Sequence, residues 1–408
     1  MTRRGVLLAG IALPTLPATL APVVAQAQRR PAAARGRGKA AEAEVPSGSP
    51  ATTPVGPVDT AARWAFVMDY NTNAVLLAKD ADEPMPPSSM TKVMTAYIVY
   101  GMLKSGRLKL DQTLPVSEKA WRMGGSKMFV PLGAQVPVED LIRGMIVQSG
   151  NDACIVLAEG IAGSEEAFVE LMNAKAREMG LSQTVFKNTT GWPDPGHVSS
   201  AHDIAMLAQR IIRDFPEYYR YDSEKTFKFN NIEQGNRNTL VQKGLADGLK
   251  TGHTDAGGYG LVASSERAGR RVILVVNGLT SMKQRTEEGE RLLEWAFREF
   301  EDVKLFAVGD TVEQAPVWLG SQPTVPLVGG RDLVVTMPRN WRNIAKISIE
   351  YASPVPAPVS RGSVLGKLVV TGQGVPAADV DLLAGADVPR LGLPGRAIGV
   401  LAHMVTGA

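Results

Sequence analysis

The stretch Pro86-Pro87-Ser88-Ser89-Met90-Thr91-Lys92-Val93-Met94-Thr95 opens on a proline pair that ends an extended approach, and a helical pattern starts at the serines. Ser89 and Lys92 stand at i and i+3, which on a helix places hydroxyl and amine on one face, one turn apart. A serine hydroxyl is weakly nucleophilic until a neighbour takes its proton, and a lysine whose pKa is lowered by burial does this. Ser89 also stands at the helix N-terminus, where free N–H groups and the macrodipole favour developing negative charge. Val93, Met94, Tyr97, Ile98 and Tyr100 give the helix an apolar side. Ser88, four residues before Lys92, is within the same reach, so spacing alone leaves both serines open as nucleophile.

Working outward, Ser149-Gly150-Asn151 and Lys250-Thr251-Gly252 complete the order S-x-x-K, S-x-N, K-T-G of penicillin-recognising serine enzymes. The longer matches Gln148-Ser149-Gly150-Asn151-Asp152-Ala153 and Asp247-Gly248-Leu249-Lys250-Thr251-Gly252-His253-Thr254-Asp255 extend the likeness. From about Ala61 onward the chain resembles the D-alanyl-D-alanine carboxypeptidases among the low-molecular-mass penicillin-binding proteins. The resemblance implies an α+β fold: a transpeptidase/β-lactamase-like catalytic domain, with an antiparallel sheet flanked by helices, followed by a small all-β domain.

The same resemblance implies the roles of the site residues. Ser89 is the acylated nucleophile and Lys92 its base, while Ser149 relays a proton to the leaving amine and Asn151 bonds the substrate backbone. Lys250 and Thr251 lie on an edge strand and address the substrate's terminal carboxylate, and Gly252 allows close backbone approach. The backbone N–H groups of His253 and Ser89 are the expected oxyanion hole. Arg237 and Arg285 match family arginines near the substrate terminus, where a planar, permanently charged fork suits a carboxylate. Glu233, near Arg237, departs from the basic residue that relatives often carry there.

Composition bounds the remaining possibilities. With 408 residues there is room for two domains, and a net charge of +3 is too small to argue for a nucleic-acid partner. One cysteine, Cys154, excludes an intramolecular disulfide and reads as a buried apolar side chain. The four histidines show no metal-ligand spacing, so neither metal nor cofactor is expected. Residues 1–27 read as an export signal: Arg3 and Arg4, an apolar run broken by Pro14, Pro17 and Pro22, then Ala25-Gln26-Ala27. Residues 28–60, rich in Pro, Ala, Gly and Arg, read as a disordered linker.

The expected catalytic domain is 61–302. It begins with a hairpin, Trp64 to Asp69 and Ala74 to Ala78 about Asn71-Thr72-Asn73, and the first and last strands share one sheet. A β domain over 303–389 follows. Residues 390–408 are too few to span a bilayer and read either as an amphipathic anchor or as a segment packed on the β domain. With these segments, the resemblance implies an exported, periplasmic enzyme, peripheral on the inner membrane, acting on stem peptides ending in D-Ala-D-Ala and blocked covalently by β-lactams. Two relatives of the same fold compete with it. One is a D,D-endopeptidase; the other is a class A-like β-lactamase using Glu170, which its helical context makes a solvated glutamate instead. Intact motifs oppose a scaffold that has lost catalysis.

Overall fold

A computed structural model describes residues 50–406. The expected signal segment and residues 28–49 of the expected linker lie outside the described residues. Residues 50–60 correct the linker boundary: Ala51 is buried, its N–H donates to the Val58 carbonyl (3.0 Å), and Thr52 exchanges backbone bonds with Ala78 (2.8 and 2.9 Å). The small and proline residues that suggested a linker pack here through backbone pairing, which needs no large apolar side chain.

The catalytic part opens with β1 (Trp64–Asp69) and β2 (Val75–Lys79), the expected hairpin. A single 3-10 turn, Ser88–Thr91, leads into α1 (Lys92–Lys104). Then come β3 (Thr113–Pro115), α2 (Glu118–Arg122), β4 (Gln135–Pro137), α3 (Val138–Val147), α4 (Asn151–Ala162), α5 (Glu165–Glu178), α6 (Ala201–Asp214) and α7 (Pro216–Tyr219). The hairpin β5 (Thr226–Phe229) and β6 (Ile232–Gly235) and the short α8 (Thr239–Lys243) lead to β7 (Gly248–Thr254), β8 (Gly258–Arg267), β9 (Arg270–Leu279) and α9 (Met282–Glu299). Ser164, Ser200 and Ser281 cap α5, α6 and α9, each hydroxyl accepting from a backbone N–H of the first turn at 3.0 to 3.1 Å.

The main sheet runs β2-β1-β9-β8-β7, all antiparallel, so the first and last strands do share it. Strands β8 and β9 are near-continuous apolar runs because both faces are covered. Val262, Ile273 and Val275 join the core with α1, α3, α4 and α6, whereas Leu261, Ala263, Leu274 and Val276 pack on Leu292, Leu293 and Ala296 of α9. Strand β7 is an edge of this sheet.

The β part contains β10 (Phe300–Phe306), β11 (Thr311–Trp318), β12 (Thr324–Gly329), β13 (Leu333–Pro338), β14 (Lys346–Tyr351), β15 (Val355–Pro356), β16 (Val364–Thr371) and β17 (Ala378–Ala384). One sheet runs β14-β16-β17-β12-β11-β15 and β10 pairs with β13; β10 starts at Phe300, a little before the expected Val303. The two parts meet at a buried ionic junction. Arg270 Nε donates to Asp69 Oδ2 at 2.9 Å and lies 3.4 Å from Asp302, while Arg270 Nη1 donates to the Ala296 and Phe300 carbonyls. Asn71 adds a bond to Asp302 (3.0 Å).

Helix α10 (Leu393–Thr406) ends the described chain. It approaches the β part at Leu319, whose carbonyl accepts from Leu391 N–H (2.9 Å) and whose side chain faces Gly399. Leu393, Ile398, Leu401 and Met404 are exposed, so the helix packs by its glycine side and turns its apolar side outward.

Candidate active site

The centre of the site is the Lys92 ammonium, fully buried and bonded to three oxygens: Ser89 Oγ at 2.9 Å, Asn151 Oδ1 at 2.7 Å and the Thr190 carbonyl at 2.7 Å. Burial lowers its pKa from 10.5 to about 8. Of the three partners, only Ser89 carries a hydrogen. When Lys92 is neutral its two remaining hydrogens stay with the two carbonyl oxygens, which cannot donate, and its lone pair is left aimed at the Ser89 hydroxyl. The amide of Asn151 is held in this orientation because its Nδ2 donates to the Gly124 carbonyl (2.8 Å).

Geometry also separates the two candidate serines. Ser88 has φ of 49°, is 2% exposed and shares a hydrogen bond with Thr254 Oγ1 (3.1 Å), away from Lys92. Ser89 is half-buried and faces the lysine. The helical pattern expected from the serines thus starts as one 3-10 turn, and Lys92 is the first residue of α1.

The S-G-N segment forms the turn between α3 and α4. Ser149 is 4% exposed and holds the left-handed φ of 63°, the kind of sparsely populated backbone that persists only when its surroundings fix it. Asn151 is the first residue of α4, and its N–H donates to the Ser126 carbonyl (2.8 Å). The following Asp152, fully buried, accepts from the N–H groups of Met128, Phe129 and Val130 at 2.8 to 3.2 Å. One acidic side chain therefore shapes the loop against which Asn151 leans.

Strand β7 forms the opposite wall. A Cβ on Gly252 would stand 3.0 Å from Ser88 Cβ and 3.1 Å from the Pro87 carbonyl, so the strand presses directly on the serine turn. Alternation along β7 puts Lys250 and Gly252 on the helical side and Thr251 and His253 on the α9 side. Lys250 is 2% exposed; burial and then the Lys92 charge push its pKa well down, with Arg285 and Arg237 contributing in the same direction. On the α9 side the His253 ring stacks on Tyr259 (4.0 Å between centroids), and buried Arg285 lies 5.9 Å from that Tyr259 ring. Arg285 Nη2 donates to the carbonyl of exposed Arg237 (3.5 Å). Lys250 thus stands close enough to Lys92, Arg285 and Arg237 to feel the charge of each.

Glu170 is exposed on α5, whose Phe168, Met172 and Ala176 point inward. Cys154 is buried, as expected, with its thiol pushed up to about 12 by burial.

Sequence reasoning missed the segment 187–199, which supplies the third partner of Lys92. Asn188 Oδ1 accepts from the N–H groups of Thr190, Gly191 and Trp192, folding the segment into a tight turn. Gly191 has φ of 82°, and a Cβ there would overlap the Ser88 carbonyl. The half-exposed Trp192 ring lies against Gly124 and Gly125, beside Asn151. A backbone carbonyl leaves no side-chain signature; the one available signal was the Asn-Thr-Thr-Gly turn composition.

Residues 50–281 match the family model for D-alanyl-D-alanine carboxypeptidase. The chain belongs to this family. Residues 300–390 match the model for the penicillin-binding protein 5 C-terminal domain. The D-alanyl-D-alanine carboxypeptidase DacA of Haemophilus influenzae is 40% identical over 349 residues, covering 84% of this chain and 89% of that one. DacC of Escherichia coli is 42% identical over 316 residues, 75% of this chain and 79% of that one. Among solved structures, penicillin binding protein 5 from H. influenzae aligns with a TM-score of 0.77 at 39% identity, covering 82% of this chain and 100% of that one. The α+β carboxypeptidase fold with its C-terminal β domain is therefore that of the family.

Proposed function

We propose that this family member is a serine D-alanyl-D-alanine carboxypeptidase that acts through an acyl-enzyme on Ser89. The observation that carries this is the set of partners around Lys92: two acceptor-only oxygens and one hydroxyl, which leave the neutral amine only Ser89 to deprotonate. Ser89 Oγ attacks the carbonyl of the penultimate D-alanine as its proton passes to Lys92 Nζ. The N–H groups of Ser89 and His253 stabilise the tetrahedral oxyanion. Collapse breaks the peptide bond, a proton reaches the leaving amine through Ser149, and terminal D-alanine departs. Water then attacks the ester and restores the Ser89 hydroxyl. The terminal carboxylate is held by Thr251 together with Lys250, Arg237 and Arg285, and it relieves the mutual repulsion of those three cations. β-Lactams enter the same path and stop at the acyl-enzyme. The exposed position of Glu170 argues against a class A-like deacylating base.

The deciding experiment follows free D-alanine from a D-Ala-D-Ala-terminated peptide and locates a fluorescent penicillin adduct by mass spectrometry. D-Alanine release with the adduct on Ser89, lost in Ser89→Ala and kept in Ser88→Ala, is expected. An adduct on Ser88, or penicillin hydrolysis dependent on Glu170 with no D-alanine released, overturns the assignment.

We further propose export to the periplasm through residues 1–27 and peripheral attachment to the inner membrane through α10. The outward apolar residues Leu393, Ile398, Leu401 and Met404 support an interfacial helix. Deleting 391–408 should release the protein from the membrane fraction with its peptidase activity retained; full-length protein that fractionates as soluble rejects the attachment.

A further inference from the structure

Lys92 is directed by a carbonyl whose own position is set from outside the cleft. The Thr189–Thr190 backbone is pinned by side chains: Thr95 Oγ1 donates to the Thr189 carbonyl (2.7 Å), and Glu165 Oε1 accepts from both Thr189 N–H (3.0 Å) and Thr189 Oγ1 (2.9 Å). The next carbonyl along, that of Thr190, receives the Lys92 ammonium. Glu165 is the first residue of α5, directly after the Ser164 cap, and its side chain is only 12% exposed. Its second oxygen meets Lys119 of α2 at 3.0 Å. It is thus a carboxylate with fixed partners on both oxygens, unlike Glu170, which is exposed on the same helix.

We propose that Glu165 is a positioning residue for the reaction: by holding Thr189 it keeps the Thr190 carbonyl where the Lys92 lone pair must point at Ser89. This rests on the assignment of Ser89 and Lys92 given above. Glu165 touches neither the serine nor the lysine, and it moves no proton. Its effect is on the direction of the amine, so removing it lowers the rate of the acylation step more than the affinity of the encounter, since a misplacement of about 1 Å costs up to about 100-fold.

The test measures the limiting acylation constant and the half-saturating concentration for a fluorescent penicillin by stopped flow, with melting temperature alongside. Glu165→Ala is expected to lower the limiting constant about 10- to 100-fold with half-saturation changed less than about threefold. Glu165→Gln, whose amide oxygen still accepts from Thr189, is expected to regain most of the rate although it loses the charge pair with Lys119. Glu170→Ala is expected to match the parent. An unchanged limiting constant in Glu165→Ala, a loss confined to affinity, or a Gln variant as slow as the Ala variant overturns the proposal. If Glu165→Ala does not fold, Thr189→Val decides: it removes one of the two bonds to Glu165, and a parent-like limiting constant rejects the role. Parent protein that is not labelled on Ser89 sinks the underlying assignment instead, whatever the variants do.

Discussion

The role proposed for Lys92 sets a pH response for the chemistry. With a pKa of about 8, roughly a tenth of the molecules carry a neutral lysine at pH 7, far more than an ordinary lysine allows. The acylation rate is expected to fall about tenfold per pH unit below pH 7 and to level off above about pH 8; a rate flat from pH 6 to 9 would remove Lys92 as the base. Lys92→Ala should cost roughly 10²–10⁴-fold in acylation, read from the same assay. The cations opposite predict a second property. A substrate whose terminal carboxylate is amidated should be cleaved poorly, and Lys250→Ala should narrow the difference between acid and amide; equal cleavage of both by the parent would dismiss the carboxylate site. Most of these residues were legible, because motif order carries Ser89, Lys92, Ser149, Asn151 and Lys250 directly. Spacing alone did not separate Ser88 from Ser89; the motif did, and the structure adds the left-handed φ that turns Ser88 toward Thr254.

At the scale of elements, the segment 187–199 is fastened to the serine turn by a neutral histidine. His197 Nε2 pairs with Thr91 Oγ1 (2.8 Å), and Nδ1 accepts from Lys187 N–H (3.2 Å), so a second proton on the ring breaks that bond. Burial lowers the His197 pKa from 6.5 to about 4. As pH falls below 6.5 the unfolded chain takes the proton and the folded one does not, so stability is lost down to about pH 4, amounting to about 3 kcal/mol in all. Urea unfolding at pH 7 and pH 4.5 should therefore show a larger loss for the parent than for His197→Gln; equal losses refute the assignment. The helix that follows the serines and the opening hairpin were legible from their apolar pattern, whereas this segment was not. Its order comes from Asn188, Glu165 and His197 bonding to backbone, a pattern without apolar period. Residues 50–60 read as part of a linker for the same reason, their partners being the Val58 and Ala78 backbones.

For the molecule as a whole, the junction between catalytic and β parts has one guanidinium between two carboxylates at its centre, with Thr72 sharing a hydrogen bond with Thr336 and Arg339 donating to the Arg298 carbonyl beside it. Arg270 is 8% exposed and Asp69 fully buried, with burial and the nearby Asp302 raising the Asp69 pKa. Arg270→Met is expected to destabilise the protein by about 3–5 kcal/mol, because both carboxylates lose their counter-charge; urea titration of the two proteins measures it, and a loss below about 1 kcal/mol would mean that the junction is held elsewhere. The strand order carries a different consequence. Strand β1 lies between β2, its immediate successor, and β9, which ends at Leu279. A nascent chain has therefore made Ser89, Lys92 and every helix around them long before the sheet that backs them can close. Contacts this distant in sequence form slowly, and the growing polymer stays open and accessible to chaperones until Leu279 has emerged. Ser89, the proposed bearer of the acyl group, is thus among the first residues of the folded part to be made and among the last to become reactive.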